Sequence, residues 1–182
     1  MQRPAVPDRH NVTWKWAKSV IEYLGADTSG IDRTWCWRDF ARNFRFLKDD
    51  FERFLLTAKE GDPAWIACML AWYDSAYLDF ARNVVENVVI GDPPHAMYML
   101  FDAYGDRYRS RKEVEYMIET AQCGNPSKAA ADMHRFCGSS LVWVKKVLRN
   151  DKIGDPCTEA YDLACTGAIS WCWVSRLLEK AV

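Results

Sequence analysis

The stretch Val89-Ile90-Gly91-Asp92-Pro93-Pro94-His95-Ala96-Met97-Tyr98-Met99-Leu100 decides the fold, because its centre recurs. Gly-Asp-Pro stands at 61–63, 91–93 and 154–156, and Gly-Asn-Pro at 124–126, at intervals of 30, 33 and 30 residues. Periods of this size mark stacked supersecondary elements. Each residue of the triplet has a structural use. Glycine adopts the left-handed conformation just past a helix. The Asp or Asn side chain accepts an orphan N–H at the start of the next helix. Proline at the first helical position has no N–H to lose and a φ already near the helical value.

Gly61-Asp62-Pro63, Gly91-Asp92-Pro93, Gly124-Asn125-Pro126 and Gly154-Asp155-Pro156 are therefore expected to be structural corners. Each ends one helix and begins another. A phosphate-binding loop would need several glycines or a Lys-Ser/Thr pair at the helix start, and these triplets have neither. The Asp-x-Asp-x-Asp-Gly pattern of a calcium loop does not occur either.

The flanking residues agree with the period. Ten residues before each glycine stand Phe51, Ala81, Val114 and Val144. Seven and six before stand Phe54-Leu55, Val84-Val85, Met117-Ile118 and Val147-Leu148. Three before are Ala58, Val88, Ala121 and the discordant Asp151. These offsets draw the i, i+3, i+4, i+7 stripe of an amphipathic helix. Four residues after each proline come Ala67, Met97, Ala130 and Ala160, and seven after come Leu70, Leu100, Met133 and Leu163. Each unit thus reads as a longer helix, a tight corner and a shorter helix, with stripes that only neighbouring units can bury.

The pattern runs beyond the four corners. Val174, Leu177 and Leu178 repeat Val144, Val147 and Leu148 at 30 residues, as the first helix of a fifth unit. Upstream, Trp14, Ala17, Ile21 and Leu24, and then Trp37, Phe40, Phe44 and Leu47, form helical stripes without the corner. They read as a divergent cap, which stacked arrays need at an exposed apolar end. The expected architecture is all-α, one domain over 1–182, an α-solenoid of helical hairpins. It divides into a mobile terminus at 1–12, cap helices at 13–48 and four units of 30–33 residues over 49–182.

The alternating helices, Asp-Pro corners and Ala/Leu columns over 49–182 resemble HEAT-like α-helical repeats. The units are shorter than typical HEAT units of about 40–47 residues. The resemblance implies a curved scaffold that binds proteins or nucleic acids, and it brings no catalytic residues.

Composition narrows the function classes. Over 182 residues, an apolar share of 49% and an aromatic share of 14% exclude a disordered chain. A formal net charge of −1 lacks the bulk positive charge of a nucleic-acid binder, so any electrostatic role is local. No apolar run approaches the ~20 residues of a membrane span, and the MQRPAVPDRH start has no apolar signal core. A cytoplasmic protein without membrane contact is expected. Cys36, Cys68, Cys123, Cys137, Cys157, Cys165 and Cys172 form no C-x-x-C pair and are expected to be buried, reduced thiols. His10, His95 and His134 stand isolated, and no hydrolase or metalloprotease motif occurs. Neither a cofactor nor a metal nor an enzymatic activity is expected.

Basic stripes and tryptophans supply the candidate surface. Arg38, Arg42 and Arg45 share one helix face, and Lys145, Arg149 and Lys152 another. Arg107, Arg109, Arg111 and Lys112 surround Tyr108 in a basic loop. Nine tryptophans include the pairs 14/16, 35/37 and 171/173. Residues two apart point about 200° apart on a helix, so one of each pair leaves the core. Trp72, Trp171 and Trp173 join the basic residues as candidate binding groups.

The first functional reading is a non-enzymatic protein-interaction module, a small adaptor or inhibitor. One setting is a microbial or phage accessory protein that blocks a nucleoprotein machine. The alternative is a HEAT-like nucleic-acid-binding protein that recognises lesions, in which the resemblance gives Trp72 and Asp74 a loose echo of a glycosylase site. A third reading is a homodimer through the C-terminal helix, across the Leu177/Leu178 stripe.

Overall fold

A computed structural model describes residues 52–53, 55–58 and 61–181, and every regular element among them is helical. The expected terminus and cap, and with them Arg38, Arg42 and Arg45, lie outside the described residues. The helices are α1 (Pro63–Tyr73), α2 (Leu78–Asn87), α3 (Pro93–Tyr104), α4 (Arg111–Glu119), α5 (Pro126–Cys137), α6 (Leu141–Asn150), α7 (Pro156–Cys165) and α8 (Trp171–Ala181). Single 3-10 turns at Ser75–Tyr77 and Gly105–Arg107 enter two of the connections.

The corner chemistry starts α1, α3, α5 and α7. Asp62 accepts the N–H of Trp65 at 3.0 Å, Asp92 that of His95 at 3.2 Å, Asn125 that of Lys128 at 3.0 Å and Asp155 that of Thr158 at 3.0 Å. The proline of each triplet occupies the first turn. These four helices form what we call the proline row.

The expectation of a longer helix before each corner is corrected. Helices α2, α4 and α6 have 10, 9 and 10 residues, whereas α1, α3, α5 and α7 have 11, 12, 12 and 10. The column three residues before the glycine belongs to the connection, because the helices stop at the C-caps Val88, Thr120 and Asp151. A second correction concerns Gly154. Gly61, Gly91 and Gly124 are left-handed, at φ 82°, 75° and 82°, but Gly154 is not. Here Asp151 makes the turn instead, its side chain accepting the N–H of Ile153 at 2.9 Å and of Gly154 at 2.8 Å. Its other oxygen accepts the N–H of the buried Ser127 at 3.1 Å and the Ser127 hydroxyl. The discordant residue of its column is thus a hydrogen-bonding hub. Gly154 is still required, since a Cβ there would lie 2.4 Å from Asp151 Oδ2 and 2.5 Å from Asn125 Oδ1.

The proline row packs in sequence, α1 on α3, α3 on α5 and α5 on α7. Helix α2 lies against α1 and α3, α4 against α3 and α5, α6 against α5 and α7, and α8 against α7. Contacts among these second-row helices are sparser. Ala67, Met97, Ala130 and Ala160, and Leu70, Leu100, Met133 and Leu163, are all buried as their columns require. Small residues at Ala64, Ala71, Ala96, Ala129, Ala131 and Ala164 let proline-row helices approach closely. The second row contributes Val84, Val85, Val114, Ile118, Val147 and Leu148 to the same core.

Successive corners are also bonded to one another. Asp92 Oδ1 accepts the N–H of Asn125 at 2.9 Å, and Asn125 Oδ1 accepts that of Asp155 at 3.4 Å. Each oxygen therefore closes its own helix and holds the next corner. This fixes the register of α3, α5 and α7, so residues equally far past the corner stand side by side.

At the last helix, Leu177 is buried and only Leu178 of the expected open stripe is exposed. Helix α8 packs on α7. No helix among the described residues is long and apolar enough to cross a membrane.

Candidate interaction surface

Among the described residues, several cations singled out in the sequence are engaged by neighbouring side chains. Arg109 donates from Nε at 3.0 Å and Nη2 at 2.8 Å to the two oxygens of Glu86, a bidentate pair that holds the guanidinium above its ordinary pKa range. Arg107 lies over the Tyr104 ring at 5.7 Å. Arg111 reaches the carbonyl of Gly138 at 3.4 Å, and Lys112 is exposed. Tyr108, expected as an aromatic in an open basic loop, is 2% exposed. Burial pushes its phenol pKa up, and the hydroxyl has no hydrogen-bond partner.

On α6, Lys145 and Arg149 sit over the Trp173 ring at 5.7 and 5.4 Å, leaving Lys152 exposed beyond the helix. Trp173 is consequently half-buried beneath two cations, whereas Trp171 points outward. Lys146 pairs with Glu119 of α4. Helix α4 also carries Glu113 and Glu115.

The open side of the proline row has a different character. Trp72 on α1, Phe136 on α5 and Tyr161 on α7 are 50%, 65% and 55% exposed, and Trp171 beside Tyr161 is 52% exposed. Aromatic contacts run along this side, one within α3 and two between helices. The His95 and Tyr98 rings are 5.6 Å apart, Tyr98 and Phe136 6.2 Å, and Tyr161 and Trp171 5.3 Å. Helix periodicity aligns Tyr98 with Asp102, and Asp132 with Arg135 and Phe136.

Between these aromatics lies a charged network that sequence reading missed. Asp132 is 5% exposed and takes Lys128 Nζ at 3.2 Å and Arg135 Nη1 at 3.2 Å, with His95 Nδ1 3.9 Å away. Glu159 on α7 is 6% exposed, and its Oε2 has no hydrogen-bond partner. Burial raises the Glu159 pKa, opposed by the positive charges of Lys128 and Arg135. Burial and the charges of Asp102 and Asp132 push the Tyr98 phenol up to about 12. Cys137 lies 3.8 Å from Asp102 Oδ1, and burial with that carboxylate pushes its thiol up to about 11, far from a reactive thiolate.

One sequence signal marked this network. At Glu159 the positions equally far past the other corners hold Ile66, Ala96 and Ala129, so a charge interrupts an apolar column. The Lys128, Asp132 and Arg135 spacing was readable as i, i+4 and i, i+3 pairs, but the approach of His95 from α3 was not. Asp74, paired with Trp72 in the alternative reading, caps the 3-10 turn by accepting the Ala76 N–H at 3.0 Å.

The expectation of buried cysteines is also corrected. Cys68 is buried, Cys123, Cys137 and Cys157 are half-buried, and Cys165 and Cys172 are exposed; all six are free thiols. Helix ends are where the last three lie, with one side open to solvent. Among the described residues no group of three His, Cys, Asp or Glu side chains is placed to hold a metal ion. Two shallow clefts of about 240 and 250 Å³ lie between the C-terminal ends of α2 and α4 and of α4 and α6, sharing Ala121 and Gln122. No protein-family model, curated protein or solved structure matches the chain.

Proposed function

We propose that the chain is an α-solenoid of HEAT-like repeats that works as a non-enzymatic protein-binding module, with the open side of the proline row as its binding face. The observation that carries this reading is the run of exposed aromatics along the open side of the proline row. Trp72, Phe136 and Tyr161 are exposed there beside Trp171, while Arg109, Lys146, Lys145 and Arg149 are engaged within the fold by Glu86, Glu119 and Trp173. Exposed aromatics on a firm helical scaffold are the anchors protein interfaces use. Closer packing in the proline row than in the second row curves such an array toward the proline row, which makes this face the concave one.

An adaptor or an inhibitor fits this reading, because both need a rigid face and no chemistry. The nucleic-acid reading draws less support, since phosphates need unneutralised Lys and Arg along one surface. Anisotropy of a labelled 20-mer DNA, duplex and single-stranded, between 50 and 300 mM salt tests the choice. Protein binding predicts no complex beyond weak non-specific association. Tight binding with log K falling steeply with log salt would reject it in favour of the nucleic-acid reading.

A further inference from the structure

We propose that the binding face takes a basic polypeptide segment, its lysine or arginine side chains lying on Tyr98 and Phe136 and pairing with Asp102 and Asp162. This rests on the protein-binding reading and adds the chemistry of the partner. On α3, α5 and α7 the open side carries the carboxylates Asp102, Asp132, Asp162 and Glu159 against the cations Lys128 and Arg135. Both cations are bound to Asp132. Asp102 and Asp162 have no ion-pair partner among the described residues, so the face is left net negative.

The buried Glu159 adds its charge beneath the same face. It lies in the field of Lys128, Arg135 and Asp132, yet Oε2 accepts no hydrogen bond. The aromatic component suits the same ligand. Phe136 is the most exposed ring of the face and stands 6.2 Å from Tyr98, giving a cation a π surface beside the carboxylates. Phosphate groups meet the opposite sign here.

The test is an NMR titration of the full chain, uniformly labelled with nitrogen-15, against three probes. They are the peptide acetyl-GRKGRKGRKG-amide, its charge-inverted acetyl-GEDGEDGEDG-amide, and a 12-bp duplex. The expected result is that the basic peptide shifts amides of α3, α5 and α7 and leaves α4 and α6 unshifted. Asp102→Asn with Asp162→Asn should weaken that binding about tenfold. Glu113→Gln with Glu115→Gln, on the second row, should leave it unchanged. Equal weakening by the second-row pair, or no binding of the basic peptide, overturns the proposal. Binding of the acidic peptide to α3, α5 and α7 also overturns it while leaving the protein-binding reading intact. Duplex bound on that face removes both.

Discussion

Replacing Asp92 by alanine removes one oxygen that serves two corners, and the cost can be built from its bonds. Asp92 Oδ1 closes α3 through the His95 N–H at 3.2 Å and holds the next corner through the Asn125 N–H at 2.9 Å. Loss of an N-cap costs about 1 kcal/mol. Leaving the half-buried Asn125 N–H without its acceptor adds about 1 kcal/mol. Asp92→Ala is therefore expected to lower unfolding stability by about 2 kcal/mol, or about 4–8 °C in Tm for a chain of this size. Asp155 provides the internal control, because its side chain caps α7 through Thr158 and reaches no further corner. Asp155→Ala should cost about 1 kcal/mol, and Asp92→Asn, which keeps the accepting oxygen, about 0.5 kcal/mol or less. Urea unfolding followed by far-UV circular dichroism, with m-values checked for constancy, measures all three. Equal losses for Asp92→Ala and Asp155→Ala would refute the idea that corner-to-corner bonding stabilises the array.

Three further substitutions probe other parts of the account. Gly124→Ala places a Cβ 2.6 Å from Asp92 Oδ1 and 2.8 Å from Pro94 Cδ at φ +82°, so a loss of about 3 kcal/mol is expected in urea. Gly138→Ala, at φ +71° with open space around it, should lose about 1 kcal/mol. Tyr108→Phe removes a buried hydroxyl without a partner and should raise stability by about 1 kcal/mol, read from the urea midpoint. Glu159→Gln tests the buried carboxylate by pH. Its folded pKa is raised above the unfolded value, so the wild type gains stability as pH falls through the folded pKa towards the unfolded one. At pH 7 the glutamine variant should be the more stable, by about 1 kcal/mol, and its advantage should shrink on acidification; a pH-independent difference would count against burial as the cause.

The corners and columns were legible because their causes are local. A capping oxygen, a proline at the first helical position and a 3.6-residue period act within one turn of chain, and so the positions of α1 to α8 follow from them. Helix lengths were less legible, since Val88 and Ala121 keep the apolar pattern past the last helical hydrogen bond. Asp151 looked like a defect in a column, yet its partners Ser127 and Gly154 explain it once α5 and α6 are side by side. The candidate surface was the least legible part. Whether a cation is free depends on residues far along the chain, and Glu86 and Trp173 engage Arg109, Lys145 and Arg149, which looked available. For the same reason the approach of His95 to Asp132 and the exposure of Phe136 appear only when neighbouring helices are in place.

The most direct measurement of the central claim is site-specific photocrosslinking in the native cell. A benzoylphenylalanine is placed at Phe136 on the proline-row face or at Val142, which is 81% exposed on α6. The account predicts a discrete protein adduct from position 136 and none from position 142. Nucleic acid captured at 136, or the same adducts from both positions, would contradict it.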